Sequence, residues 1–252
     1  MNGTRGFGRT MITPLALVAL MALTASGFAA AGRSKGGQRK SSAAAEGAGK
    51  GAAGGWISLF DGKTLDGWKA NETTGTFVVE NGVIVAYGKR GSLFYVGPVA
   101  NHNFKNFELR CDVMTTTGAN SGIFFHSQYQ ETGWPRTGFE AQIDSSHKDP
   151  IRSGSLYNIK DIVEPDPAKG PTHDGTWFRY DIIVRGKQIT LKIDGKTTVD
   201  YTEPEQAQPP KGRPGRRLSS GTFALQAHPP GDAATQKGII YFKDIMVRPL
   251  PD

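Results

Sequence analysis

Cysteine is almost missing from this chain. Cys111 is the only one in 252 residues, so no internal disulfide can form. It alternates with Phe107, Leu109 and Val113, a pattern that puts it in a core rather than at a reactive site. Downstream of the N-terminal region there is no apolar run of the roughly 20 residues that a bilayer span needs. Nor is there a helical apolar stripe sustained over three turns or a repeat of solenoid or propeller length. GxGxxG, Walker A and GxSxG signatures are absent, which argues against nucleotide enzymes and serine hydrolases. No HxH or HxxxH spacing occurs, so His126, His147, Asp144 and His228 give only a weak zinc signal. No cofactor is expected, and a structural Ca²⁺ held by loop carbonyls stays open.

Acidic residues are scarce at the N-terminus. Residues 1–55 hold seven basic side chains against Glu46 alone, and so supply +6 of the formal +7. The rest of the chain is close to neutral, and its charge gives no reason to expect a nucleic-acid partner. Arg5 and Arg9, then the apolar run Met11 to Leu23, then Ala29, Ala30 and Ala31, follow the order of a secretory signal peptide. Residues 32–55 contain no aromatic or large aliphatic side chain and read as a disordered linker. The expected organisation is a signal peptide over 1–31, a linker over 32–55 and one domain over 56–252. The mature protein is expected to be exported, periplasmic or secreted, with no membrane span after cleavage. The oligomeric state is not legible.

The domain is dominated by period-2 alternation. FVVENGVIVAY, residues 77–87, places two short runs around Asn81-Gly82, a hairpin signal. FELRCDV alternates, and residues 177–201 read as three strands joined at Arg185-Gly186 and Asp194-Gly195. NSGIFFHS, GFEAQI, SGSLYN, TFALQAH and GIIYFKDIMV add further strands. Many short strands punctuated by Gly and Pro predict an all-β antiparallel sandwich or jelly roll. The Pro-rich segment 202–220 reads as a loop that either flanks a binding cleft or merely connects strands.

Side-chain alternation also assigns faces. If Phe139, Ala141 and Ile143 face the core, Glu140, Gln142 and Asp144 face away. The same rule sends His126, Tyr157, Gln226 and His228 outward, with His147 just beyond the acidic strand. Trp134, in a Gly-Trp-Pro loop, is a candidate platform for a sugar ring, whereas Trp56, Trp68 and Trp177 are assigned to packing. Any one of these residues alone also fits an ordinary solvated sheet face. Side by side, the strands would form a polar floor suited to a polyhydroxylated ligand.

WISLFDGKTLDGW, NSGIFFHS, GFEAQIDSSHKDP, SGSLYN, GTWFRYDIIVRGKQITLKIDG and FALQAH with IIYFKDIMV together resemble the 3-keto-disaccharide hydrolase domain family. The resemblance runs from Trp56 to the C-terminus. It implies a concanavalin A-like lectin/glucanase jelly roll acting on glycosides oxidised to a ketone at C3, as hydrolase or 1,2-lyase. It also implies partner oxidoreductases that make the ketone. His126 stands where the family often shows Arg.

The residues can be weighed against ordinary glycoside hydrolysis. That chemistry needs two carboxyl groups about 5 to 9.5 Å apart. On one strand, positions i and i+2 lie near 7 Å and i and i+4 near 13 Å. The i+2 partner of Glu140 is Gln142, which cannot trade a proton, so no such pair is visible on this strand. A C3 ketone relaxes the requirement, because it acidifies the C2 proton and one base then suffices for elimination. On that reading Glu140 or His147 is the base, Tyr157, Gln226 and His126 are donors to the enolate oxygen, and Asp144 or His228 assists the leaving group. Water addition to the resulting glycal would give net hydrolysis. A non-catalytic carbohydrate-binding module and a two-carboxylate glycosidase remain the alternatives.

Overall fold

The computed structural model describes residues 55–72 and 75–252. The signal peptide, and the linker up to residue 54, lie outside the described residues. Thirteen strands are present among those described: β1 (Ile57–Ser58), β2 (Trp68–Ala70), β3 (Phe77–Glu80), β4 (Val83–Ala86), β5 (Gly91–Tyr95), β6 (Phe107–Thr115), β7 (Ser121–Ser127), β8 (Phe139–Ile143), β9 (Phe178–Arg185), β10 (Gln188–Ile193), β11 (Lys196–Thr202), β12 (Thr222–Ala227) and β13 (Ile240–Pro249). They form two antiparallel sheets. One runs β11-β10-β9-β6-β13-β4-β3 with β1 added on β13, and the other runs β2-β5-β12-β7-β8. No helix among the described residues is long and apolar enough to cross a membrane.

Turn chemistry sets the hairpins where the sequence places them. Asn81 and Gly82 both take positive φ, as do Asp194 and Gly195, so each pair can close a two-residue turn that matches the twist of its strands. Between the sheets, alternate residues of β6 and β9 meet alternate residues of β7, β8 and β12. Phe107, Leu109, Cys111, Tyr180 and Ile182 thus share one core with Ile123, Phe125, Phe139, Ala141 and Phe223. Phe223 stacks on Phe104 at 4.5 Å and meets Phe107 edge-on at 4.9 Å, which locks β12 to the opposite sheet. Cys111 is 1 % exposed, and burial pushes its thiol well up, in keeping with a packing role.

SGSLYN does not form the predicted strand. Only Leu156 makes isolated bridges, to Ala141 and Lys160, because turns on either side interrupt the ladder. The segment nevertheless runs along the free edge of β8. Gln142 N–H donates to the Ser155 carbonyl at 3.0 Å, and Tyr157 N–H donates to that of Glu140 at 2.9 Å. The polar backbone of β8 is covered in this way, as an edge strand requires.

Gly138 opens β8 at φ +76°, and a Cβ there would lie 1.9 Å from the Phe125 carbonyl oxygen. Gly138→Ala therefore combines an unfavourable backbone region with a collision between main chains. The expected cost is about 3 kcal/mol, or roughly 6 to 12 °C in Tm, read by thermal melting. An unshifted melt would contradict this close approach.

Candidate functional site

The outer face of the five-stranded sheet is polar where it meets the loops. Register places Phe124 of β7 opposite Glu140 of β8, and Gly122 opposite Gln142. Gly122 has no side chain, and its emptiness is used. Glu140 reaches across it so that Gln226 Nε2 on β12 donates to Glu140 Oε1 at 3.0 Å. A Cβ on Gly122 would stand 2.7 Å from Glu140 Cγ, inside any tolerable contact. Above this floor opens a cavity of about 460 Å³ whose lining includes Glu140, Gln142, Gln226, His147, Tyr157, His228 and Trp134. Glu140, Gln142 and Gln226 reach it from the strand faces that alternation assigns, Tyr157 from a turn, His147 and His228 from beyond the ends of β8 and β12, and Trp134 from its loop.

Glu140 is only 5 % exposed, so its charge needs a partner. Arg216, 3 % exposed, supplies it, with Nη2 donating to Glu140 Oε2 at 2.8 Å. Burial pushes the Glu140 carboxyl up and the Arg216 guanidinium down, while their mutual attraction opposes both shifts. The loop carrying Arg216 is brought to β8 by two glycines. Gly138 N–H donates to the Gly215 carbonyl at 2.9 Å, and a Cβ on Gly215 would meet the Arg136 carbonyl at 2.2 Å. Arg216 also lies over the Phe124 ring at 5.2 Å.

Two imidazoles stand at the rim with centroids 5.8 Å apart. His147 Nδ1 accepts from the Asp149 N–H at 3.1 Å and faces the Asn120 side-chain amide at 3.3 Å. An N–H donor on Nδ1 leaves the proton of the neutral ring on Nε2. Burial, and next the neighbouring His228, lower the His147 pKa and favour that neutral ring. His228 is the reverse case. Its Nδ1 lies 2.6 Å from the Pro229 carbonyl, which can only accept, so in the neutral ring Nε2 offers a lone pair. Trp134 stacks on His228 at 5.4 Å with the planes 5° apart. Tyr157 donates to Asp149 Oδ2 at 3.2 Å, and burial raises its pKa so that the phenol keeps its proton.

Two assigned residues lie elsewhere. His126 takes φ +56° beside the register shift between β12 and β7, and this irregularity removes it from simple alternation. Its ring packs against Phe107 and Phe125, Nε2 lies 2.9 Å from the Lys105 carbonyl, and Nδ1 accepts from Ser219 N–H. Asp144 follows the last residue of β8, and its fully buried carboxylate turns to Arg152 Nη1 at 2.8 Å and to the His147 N–H at 2.9 Å. It fixes the turn that presents His147 and does not line the cavity. Sequence reading missed Arg216, Arg213, Asn120 and Asp149. The available signal was Glu140 itself, a carboxylate on a strand with few exposed neighbours, beside a loop reading GRPGRR. Among the described residues no cluster of three or more His, Cys, Asp or Glu side chains is arranged to hold a metal ion.

An antiparallel sandwich whose one outer face carries a polar, aromatic-edged cavity is the architecture of jelly-roll proteins. The comparisons agree on the fold. A Parabacteroides distasonis protein provisionally described as a glycosyl hydrolase superposes with a TM-score of 0.63 at 22 % identity, over 78 % of this chain and 94 % of its own. A Bacillus subtilis protein with a galectin-like fold gives 0.50 at 10 % identity, over 73 % and 90 %. Residues 55–248 match the 3-keto-alpha-glucoside-1,2-lyase-like domain, and the chain belongs to that family. A 3-keto-disaccharide hydrolase of Bacteroides thetaiotaomicron is 36 % identical over 81 residues, which are 29 % of this chain and 28 % of that relative.

The ion pair gives the first expectation for this site. Arg216→Met strands a buried carboxylate and should cost about 3 to 5 kcal/mol. The double variant Glu140→Gln with Arg216→Met should recover most of that loss in urea unfolding, whereas additive losses would show that the two charges do not depend on each other.

Asp144 gives the second. Burial raises its carboxyl from 3.8 to about 6, against the pull of the His147 N–H and Arg152. The folded chain thus holds this proton more tightly than the unfolded chain. The resulting stabilisation is complete below about pH 4, declines as pH rises to about 6 and is absent above that. Urea midpoints compared with those of Asp144→Asn across this window should show that decline in the parent only. Parallel curves would place the titration elsewhere.

Proposed function

We propose that this domain cleaves the glycosidic bond of 3-keto-glycosides by removing the C2 proton and eliminating the C1 oxygen, with hydration of the glycal completing net hydrolysis. The observation that carries the reading is Glu140, a single ion-paired carboxylate on a cavity floor, with imidazoles of opposite tautomer at the rim. Membership of the family and the name of the Bacteroides relative support the substrate class.

On this reading Glu140 takes the C2 proton, because His147 already carries hydrogen on the nitrogen that no protein donor occupies. His147 Nε2–H donates to the enolate oxygen as it forms, and the Tyr157 phenol adds a second donor by turning its one hydrogen away from Asp149. The C1–O bond then breaks, and the proton now on Glu140 is available to the departing oxygen, so protons balance within the cavity. His228 Nε2 accepts one proton from the water whose oxygen bonds to C1 of the glycal, and a proton returned through solvent and Glu140 to C2 discharges the enolate, so that the water's two hydrogens end on the C1 hydroxyl and C2. Gln142 and Gln226 bind ring hydroxyls, and Trp134 covers an apolar face of the sugar. His126 and Asp144 act at one remove, by packing and by positioning His147. The leader-like run from Met11 to Leu23 supports the further proposal that the protein works outside the cytoplasm.

Asp149 is a second carboxylate on the cavity wall and favours one competing reading, a two-carboxylate glycosidase. One assay separates them. Incubated in D₂O, the protein should cleave a 3-keto-glucoside but not its unoxidised parent, with deuterium at C2. Glu140→Gln should lower kcat/KM at least about 100-fold. The acid limb of the pH profile should lie above the ordinary carboxylate range, since burial raises Glu140. Cleavage of the unoxidised sugar that is lost in Asp149→Asn would establish the competing reading. Binding without turnover of either sugar would make this a carbohydrate-binding module.

A further inference from the structure

Trp134 and Arg213 line a second cavity as well, of about 420 Å³, so the two spaces adjoin. The rest of its wall is Pro135, Arg136, Gly212, Pro214 and Arg216. Three arginines, Arg136, Arg213 and Arg216, contribute to this wall, and no carboxylate does. Arg216 spends one arm on Glu140, but its Nη1 is buried and has no hydrogen-bond partner among the described residues. A buried N–H left without a protein acceptor is normally met by an ordered water or an ion. Arg213 lies over the Tyr157 ring at 5.6 Å, and neither it nor Arg136 has a salt-bridge partner among the described residues. The segment is also held in place. Gln130 Oε1 accepts from Arg136 N–H at 3.1 Å, and Thr137 bridges to Gly215. Glu140 neutralises one of the three cations, leaving two.

We propose that this second cavity is an oxyanion subsite, and that the glycoside cleaved carries a carboxylate or sulfate on its aglycone. Planar forks of donors suit such groups, and Arg213 on the shared wall joins that subsite to the cavity holding the oxidised ring. The proposal rests on the keto-glycoside reading for the ring itself. The aglycone is the assigned part because it must leave the Glu140 cavity after the C1–O bond breaks, and the adjoining space gives it a seat.

The test uses the full chain and three 3-keto-glucosides whose aglycones are 4-carboxyphenyl, 4-sulfophenyl and 4-(methoxycarbonyl)phenyl. The neutral ester matches the carboxylate in size and makes the better leaving group, so a preference for the carboxylate cannot come from leaving-group ability. At least one acidic substrate should show a kcat/KM about tenfold above the ester, mainly through KM and only at low salt. Whether the carboxylate or the sulfonate gains more identifies the group. Arg136 is exposed, so its replacement should fold. Arg136→Ala should erase most of the preference, and Arg136→Lys should keep part of it. Equal values for all three substrates would overturn the subsite while leaving the elimination reading intact. If none is turned over, that reading fails and calorimetry decides the subsite. Tighter binding of unoxidised 4-carboxyphenyl glucoside than of its methyl ester, lost in Arg136→Ala, would sustain it, and equal or absent binding would end it.

Discussion

Glu140 and Arg216, each at most 5 % exposed and 2.8 Å apart, set the terms for the face of the molecule that carries the cavity. A charge this deep is tolerated only beside its counter-charge. The counter-charge comes from a loop 76 residues away in sequence, which has to approach β8 within backbone contact. Three glycines make that approach possible. Gly138 and Gly215 let the two main chains touch, and Gly122 clears the path by which Glu140 reaches Gln226. The pair therefore couples loop position, carboxylate direction and cavity shape, and none of these can change alone.

Strand alternation carried the reading of the sequence a long way. Period-2 faces and the Asn81-Gly82 and Asp194-Gly195 turns depend on neighbours a few residues apart, and both reappear in the fold. Glu140, Gln142 and Gln226 reach the cavity for the same local reason. The rule fails where the ladder does. His126 sits at an irregularity with φ +56°, and Asp144 follows the end of β8, so neither obeys a pattern that assumes continuous pleating. SGSLYN shows the converse, since Tyr157 arrives at the cavity on a turn rather than on a strand. Arg216 was hidden for a different reason. A long-range ion pair leaves no periodic trace, and only the need of a buried carboxylate for a cation points toward the arginines of 213–217.

The rim imidazoles show how the backbone assigns chemistry to similar side chains. His147 faces an N–H through Nδ1 because Asp144 and Asp149 fold its turn, and the turn is clamped by Arg152, which donates to Asp144 and to the carbonyls of His147 and Asp149. His228 faces a carbonyl through Nδ1 because Pro229 follows it. Neutral rings so placed present a hydrogen on one Nε2 and a lone pair on the other. A site that only held sugars would gain from donors and acceptors in any order. The proton transfers proposed for this site need them distinguished. That distinction costs no extra residues here, since two main-chain groups already present in turns impose it. Asp144, although absent from the cavity wall, belongs to the same arrangement: with its carboxylate out of place, the turn that fixes the His147 ring loses its anchor.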